Sequence, residues 1–157
     1  MRINLLCIGK TDDKEIQNLI KYYQNRLPKH WNFEKVEIPD VKNAKNLSPD
    51  LLKKEEAKLF LNQTENSDFV VLLDEKGKQF MSREFAAKIE NWMNSSVKKV
   101  SFFIGGAYGF SDEIYERANE KMSLSKMTFT HQMIRLFFVE QIYRADQILQ
   151  GKPYHND

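Results

Sequence analysis

Two glycines end an apolar run in FFIGGAYGFSDEI, residues 102–114, and Gly105 and Gly106 are the first place in this chain where chemistry is legible. Glycine at the carboxyl end of a buried strand lets a ligand approach the main chain closely. Taken alone, such a pair is more often a plain turn between a strand and a helix. The spacing is neither GxGxxG nor GxxxxGK[ST], so both nucleotide fingerprints fail. A second strand end, VVLLDEKGKQF at 70–80, sets Asp74 beside Glu75. Neighbouring side chains on a strand point to opposite faces, so a solvated loop explains this pair better than a catalytic dyad. Further on, Glu140 and Arg144 stand four apart within an apolar helix, where they form either an intrahelical ion pair or a functional one. Tyr154 and His155 follow near the end, where chains are commonly disordered. The three histidines, His30, His131 and His155, have no ligand-like spacing. No acid or cysteine completes a set, so a metal site is not expected. No Gly-x-Ser-x-Gly or cysteine–histidine signature supports a hydrolase.

These residues need a scaffold, and the apolar runs define one. INLLCI (3–8), DFVVLL (68–73) and KVSFFIG (99–105) are nearly continuous in apolar residues, as strands covered on both faces are. NFEKVEI (32–38) alternates and suits a strand nearer an edge; MSLS (122–125) is a brief fifth. Between the strands lie helix starts. Asp12 with Glu15 reads as a capping box, and Ser48-Pro49-Asp50 places a cap, a first-turn proline and a first-turn acid in order. Ser82, Ser111 and Thr130 are caps for three more helices, the last running to about Gln150 before Gly151 and Pro153. The alternation predicts an α/β sandwich with a largely parallel sheet. VKNAKNLSPD (41–50) is the one long polar loop, expected at the surface.

The totals agree with one domain over residues 1–157. The chain is long enough for a real core, and 41% hydrophobic with 12% aromatic content suits a globular protein. A net charge of +2 announces no broad field for nucleic acid, although a local patch suffices for RNA. The lone Cys7 lies in an apolar run, which makes it a small core residue and points to a reducing compartment. The first apolar run is too short for a signal peptide, and no stretch approaches the ~20 apolar residues of a membrane span. A cytoplasmic location with no membrane partner is the expectation. The last helix carries apolar residues around nearly its whole circumference, from Met133 and Ile134 to Ile148 and Leu149. Such a helix needs burial on more than one face, so a homodimer is expected.

Three segments taken together, LLDEKGK, FFIGGAYG and LSKMTFTHQMIRLFFVEQIYRA followed by PYH, resemble the RlmH family. Its members are ribosomal large-subunit pseudouridine N3-methyltransferases of the SPOUT class. The opening INLLCIGK and VEIPD at 36–40 are similar too, so the likeness covers nearly the full length. The resemblance implies a SPOUT-type parallel-sheet α/β sandwich with a C-terminal trefoil knot, an obligate homodimer and S-adenosylmethionine as cofactor. Carried onto this chain, the cofactor-binding residues are Leu73, Gly105, Leu124, Ser125, Lys126, Met127, Thr128 and Phe129. The double glycine then acts as the cradle. The family commonly has proline where this chain has Thr130, which leaves the exact start of the last helix open.

The implied chemistry suits these residue types. A sulfonium is already an activated electrophile, so the protein supplies neither nucleophile nor metal but places the acceptor nitrogen within ~3–3.5 Å of the methyl group. The N3–H of pseudouridine must lose its proton to water, His155 or Glu140. Arg144 and Arg135 are candidates to hold phosphate or the base's carbonyl oxygens, and Tyr154 to stack on the base or hydrogen-bond to it. The tail of one subunit is expected to close over the cofactor of the other, with Tyr154 and His155 ordered only when RNA or cofactor is present. So little excess positive charge is expected to bind free RNA weakly, which fits large-subunit ribosomal RNA within an assembled ribosome as the partner. Two other readings stay open on residues alone: a SPOUT enzyme acting on tRNA or another RNA, and a non-catalytic dimeric RNA-binding factor.

Overall fold

The computed structural model describes residues 1–156. Among them strands and helices alternate throughout: β1 (Arg2–Ile8), α1 (Lys14–Gln24), β2 (Phe33–Ile38), α2 (Pro49–Asn62), β3 (Phe69–Gln79), α3 (Ser82–Met93), β4 (Lys99–Ile104), α4 (Asp112–Arg117), β5 (Glu120–Ser123) and α5 (His131–Leu149). The five strands form one sheet in the order β2-β1-β4-β3-β5, and every pairing is parallel. β2, the strand that alternates in sequence, lies at an edge as expected.

The near-continuous apolar strands are explained by cover on both faces. Ile3, Leu5, Val71, Val100 and Phe102 point into a core with α1, α3 and α5. Leu6, Val70, Leu72 and Phe103 point the other way, against Ala57 and Phe60 of α2 and Ile114 of α4. Phe60 stacks on Phe103 with ring centroids 4.6 Å apart. Cys7 is fully buried, and burial pushes its thiol up to about 12, which makes it an inert packing group.

Local signals set most helix starts. Ser48 Oγ accepts from Leu51 N–H, and Ser111 Oγ from Ile114 N–H. Thr130 Oγ1 accepts from Met133 N–H at 3.2 Å, so Thr130 begins α5 as a cap, and the start of the last helix is fixed. Thr130→Ala is expected to lower stability by about 1 kcal/mol, read by denaturant unfolding. Two caps differ from the sequence reading. Asp13, not Asp12, caps α1, its carboxylate accepting from Glu15 and Ile16 N–H. Asp12 N–H is taken by the side chain of Gln132 on α5. Ser82 is the first residue of α3 rather than its cap. Glu84 reaches back to Met81 N–H at 2.7 Å, which frees Ser82 Oγ to donate to Gln141 on α5.

β3 departs most from expectation. It does not stop at Leu73 but runs on to Gln79 through a bulge, re-pairing Lys78 with Met122 and Gln79 with Ser123 of β5. The strand MSLS lies two residues earlier than expected, at Glu120–Ser123. α5 also differs. α1 and α3 flank it within the chain, so much of its apolar circumference is covered without a second subunit. Phe137 remains 37% exposed and packs against Phe129, with centroids 4.8 Å apart. Among the described residues no helix is long and apolar enough to cross a membrane.

Candidate functional site

The carboxyl ends of β4, β3 and β5 lie side by side because the sheet order makes these strands neighbours. Residues far apart in sequence therefore converge there. A cavity of about 530 Å³ opens at these ends, within the size range of small-molecule sites. Its walls include Leu73 after the regular part of β3, Gly105 after β4, and Leu124, Ser125, Met127, Thr128 and Phe129 after β5. Lys126 is the one residue of that set not on the wall.

Local bonds shape each wall. Ser123 Oγ donates to the Ser125 carbonyl at 2.7 Å, and Ser125 Oγ accepts from Met127 N–H at 2.9 Å, folding the loop after β5 back over the strand end. The turn after β4 closes on itself through Gly109 N–H to the Gly106 carbonyl. Asp74, read from sequence as solvated loop, lines the cavity. Its Oδ1 accepts from Lys76 N–H at 2.8 Å, and its other oxygen accepts from the Tyr115 hydroxyl. Burial, and then Asp74 itself, push the Tyr115 phenol well above its ordinary value, so it stays a donor. Tyr115, His131 and Ile134 also line the cavity and were not singled out for that role. The signal for the first was faint: an aromatic at helical spacing from Ser111.

Beside this cavity lies a smaller apolar one of about 280 Å³, with Phe80, Phe85, Met122 and Phe137 among its walls and Leu124 and Phe129 shared. Among the described residues no group of three or more His, Cys, Asp or Glu side chains converges as a metal site would.

The tail residues meet one another elsewhere. Gly151, at φ +64°, ends α5 in a left-handed turn. Its N–H bonds the Ile148 carbonyl while Lys152 N–H bonds that of Gln147. This paired closure reverses the chain and returns Tyr154 to α5. The Tyr154 hydroxyl donates to Glu140 Oε1 at 3.0 Å, and Arg144 Nη2 donates to the same oxygen at 2.6 Å. Gln141 donates to Glu140 Oε2 at 2.8 Å. Arg144 Nη1 lies 3.2 Å from His155 Nδ1, and its guanidinium sits 4.8 Å from the centre of the Tyr154 ring. A guanidinium can only donate, so Nδ1 is the acceptor in this contact. Burial, then hydrogen bonds with Tyr23 and Glu140, raise the Tyr154 phenol, so it too stays protonated.

Glu140, Arg144, Tyr154 and His155 thus form one cluster, and none of them lines the 530 Å³ cavity of its own chain. The tail residues have partners within the chain itself, whereas the sequence reading had tied their order to RNA or cofactor. Arg135 is removed from the candidates for holding phosphate. It is 1% exposed and donates to the Ile8 and Gly9 carbonyls and Thr11 Oγ1, clamping the end of β1 to α5.

Residues 1–155 match a family model described as predicted SPOUT methyltransferase. A protein of Christiangramia forsetii named Ribosomal RNA large subunit methyltransferase H is 56% identical over 156 residues, which is 99% of each chain. One of Parabacteroides distasonis with the same name is 50% identical over the full length of both. The solved structure of a probable methylase family protein from Haemophilus influenzae shares the fold at a TM-score of 0.55 with 10% identity. That match takes in 95% of this chain and 66% of the other, so the chain spans just under two thirds of that neighbour. On the strength of the full-length matches, the chain belongs to the SPOUT methyltransferases, in the family of ribosomal RNA large subunit methyltransferase H.

Proposed function

We propose that this protein transfers a methyl group from S-adenosylmethionine to N3 of a pseudouridine in large-subunit ribosomal RNA, on assembled ribosomes in the cytoplasm. The observation that carries this reading is the convergence of Leu73, Gly105 and the 124–129 loop on one cavity, in a chain whose full-length relatives are named for ribosomal RNA methylation. The residues present suit the cofactor. Leu73, Ile104, Leu124 and Phe129 offer apolar surface for an adenine, and the main chain at Gly105–Gly109 offers polar groups beside it. When bound, S-adenosylmethionine supplies a methyl group on a positively charged sulfur, ready for attack by nitrogen.

The chain's own part is placement. The cavity walls hold the donor, and the Arg144 cluster receives the RNA. Arg144 aims donors at a phosphate or a base carbonyl, Tyr154 offers a ring face for stacking, and Glu140 keeps both oriented. With both Glu140 oxygens engaged and His155 Nδ1 held by Arg144, the N3 proton passes to water. The cluster lies off the cavity of its own chain, which favours a dimer in which each tail serves the partner's cavity. The exposed Phe129 and Phe137 beside the smaller apolar cavity fit burial by that second copy. Residues 1–157 act as one domain in this scheme, and the loop after β5 belongs to the knotted part of the chain.

Mass spectrometry of ribosomal RNA from cells with and without the gene tests the reading. Loss of a single methylpseudouridine in large-subunit RNA is expected. An unchanged spectrum, or a loss confined to tRNA, overturns the proposed substrate.

A further inference from the structure

Glu56 lies on α2, outside the walls of both cavities and given no role above, and is only 7% exposed. A buried carboxylate is costly unless it has polar partners. Among the described ion pairs none includes Glu56. Its contact is with the turn after β4. A Cβ placed on Gly106 would fall 2.7 Å from Oε2 and nearer still to Oε1, so the carboxylate presses against the Gly106 main chain. Burial raises its pKa, and the neighbouring carboxylate of Asp40 adds to that. Gly106 faces the 530 Å³ cavity on its other side. The carboxylate thus backs a turn that closes on itself through Gly109 N–H to the Gly106 carbonyl at 3.1 Å. The need for glycine at 106 comes from this carboxylate and not from an unusual φ.

We propose that Glu56 is a positioning residue of the cofactor cavity: its carboxylate accepts from the Gly106 N–H and sets the Gly105–Gly106 main chain where it meets S-adenosylmethionine. This rests on the cofactor reading above. Two variants separate the hydrogen bond from mere filling of space. Glu56→Gln keeps an oxygen that accepts from Gly106; Glu56→Met keeps volume without an acceptor. By isothermal calorimetry, Glu56→Met is expected to weaken S-adenosylmethionine binding about ten- to a hundredfold, the range for a lost hydrogen bond to a charged group. Glu56→Gln is expected to stay within about threefold of the unsubstituted protein, the sign of rescue by the retained acceptor. In steady-state assays on ribosomes the loss is expected in KM for the cofactor, with kcat at saturation little changed. Equal losses in both variants, or none in Glu56→Met, overturn the assignment.

Amide hydrogen exchange at Gly106 reads the bond without any cofactor. Protection in the unsubstituted protein is expected, and rapid exchange there refutes the proposal whether or not a variant folds. If the unsubstituted protein binds no cofactor, the cofactor reading fails and this role falls with it. If it binds and Gly106 is unprotected, only the role of Glu56 fails.

Discussion

Arg144→Ala is expected to lower methyl transfer to assembled ribosomes by about 10²–10³-fold, the effect of removing one well-placed donor from a reacting site. The same variant is expected to bind S-adenosylmethionine as the unsubstituted protein does, because Arg144 is not on the cavity wall of its own chain. The guanidinium holds three partners at once: Glu140 through Nη2, His155 through Nη1, and the Tyr154 ring beside its plane. In the proposed scheme its loss removes the cation that meets the RNA and also frees the tail. Methyl incorporation from labelled cofactor and calorimetry with the same preparation separate these effects. Near-normal incorporation removes Arg144 from the proposed machinery. Mixing Arg144→Ala with a second variant, Gly105→Leu, sharpens the test. A leucine at 105 has no room, since even a Cβ would lie 3.2 Å from the Phe110 ring and 3.3 Å from Gly109. If the tail serves the partner's cavity, mixed dimers hold one intact site, and an equal mixture recovers about a quarter of full activity by symmetry. A tail acting on its own chain recovers none.

Gly77→Ala is expected to cost about 3 kcal/mol, the upper end for overpacking, and to lower Tm by roughly 6–12 °C in a chain of this size. The bulge after Leu73 brings Gly77 so close to β5 that a Cβ would sit 2.5 Å from the Met122 carbonyl carbon and 2.6 Å from its Cα and nitrogen. Those atoms are main chain and cannot rotate away, so β5 itself must move. The 124–129 loop leaves directly from β5, and weaker cofactor binding is expected alongside the lost stability. Calorimetric unfolding and cofactor titration measure both. Gly109→Ala is the control: no atom lies within 4 Å of its added Cβ, and only its φ of +78° resists the change, at about 1 kcal/mol. A Gly77→Ala protein no less stable than this control contradicts the close approach.

Much of the local structure was readable in the chain. Ser48, Ser111 and Thr130 each cap the helix that follows, because a side-chain oxygen three residues ahead of a free N–H needs no distant partner. The two-sided apolar strands foretold a parallel sheet covered by helices on both faces. Errors arose where a distant group competed. Asp12 lost the cap of α1 because Gln132 takes its N–H, and Ser82 left the cap of α3 because Gln141 offers an acceptor. DEKGKQ carries no strand pattern, yet it continues β3 because β5 supplies the bonds. Arg135 was a candidate to hold phosphate, but the carbonyls of Ile8 and Gly9 claim it.

For the candidate site the division is similar. Residue types at 105–106, 124–129 and 140–155 marked where to look, and family likeness assigned them roles. Taken alone, the double glycine read better as a turn, and Glu140 with Arg144 was equally an ion pair. Sheet order decided that β4, β3 and β5 end side by side, and the turn at Gly151 decided that Tyr154 and His155 return to Glu140 and Arg144. Sequence by itself determined the elements and their apolar faces, because those depend on neighbours within a few residues. Which strand ends share a cavity, and that the buried acid of α2 stands behind one of its walls, only the tertiary structure decided, because those contacts join segments with no local reason to meet.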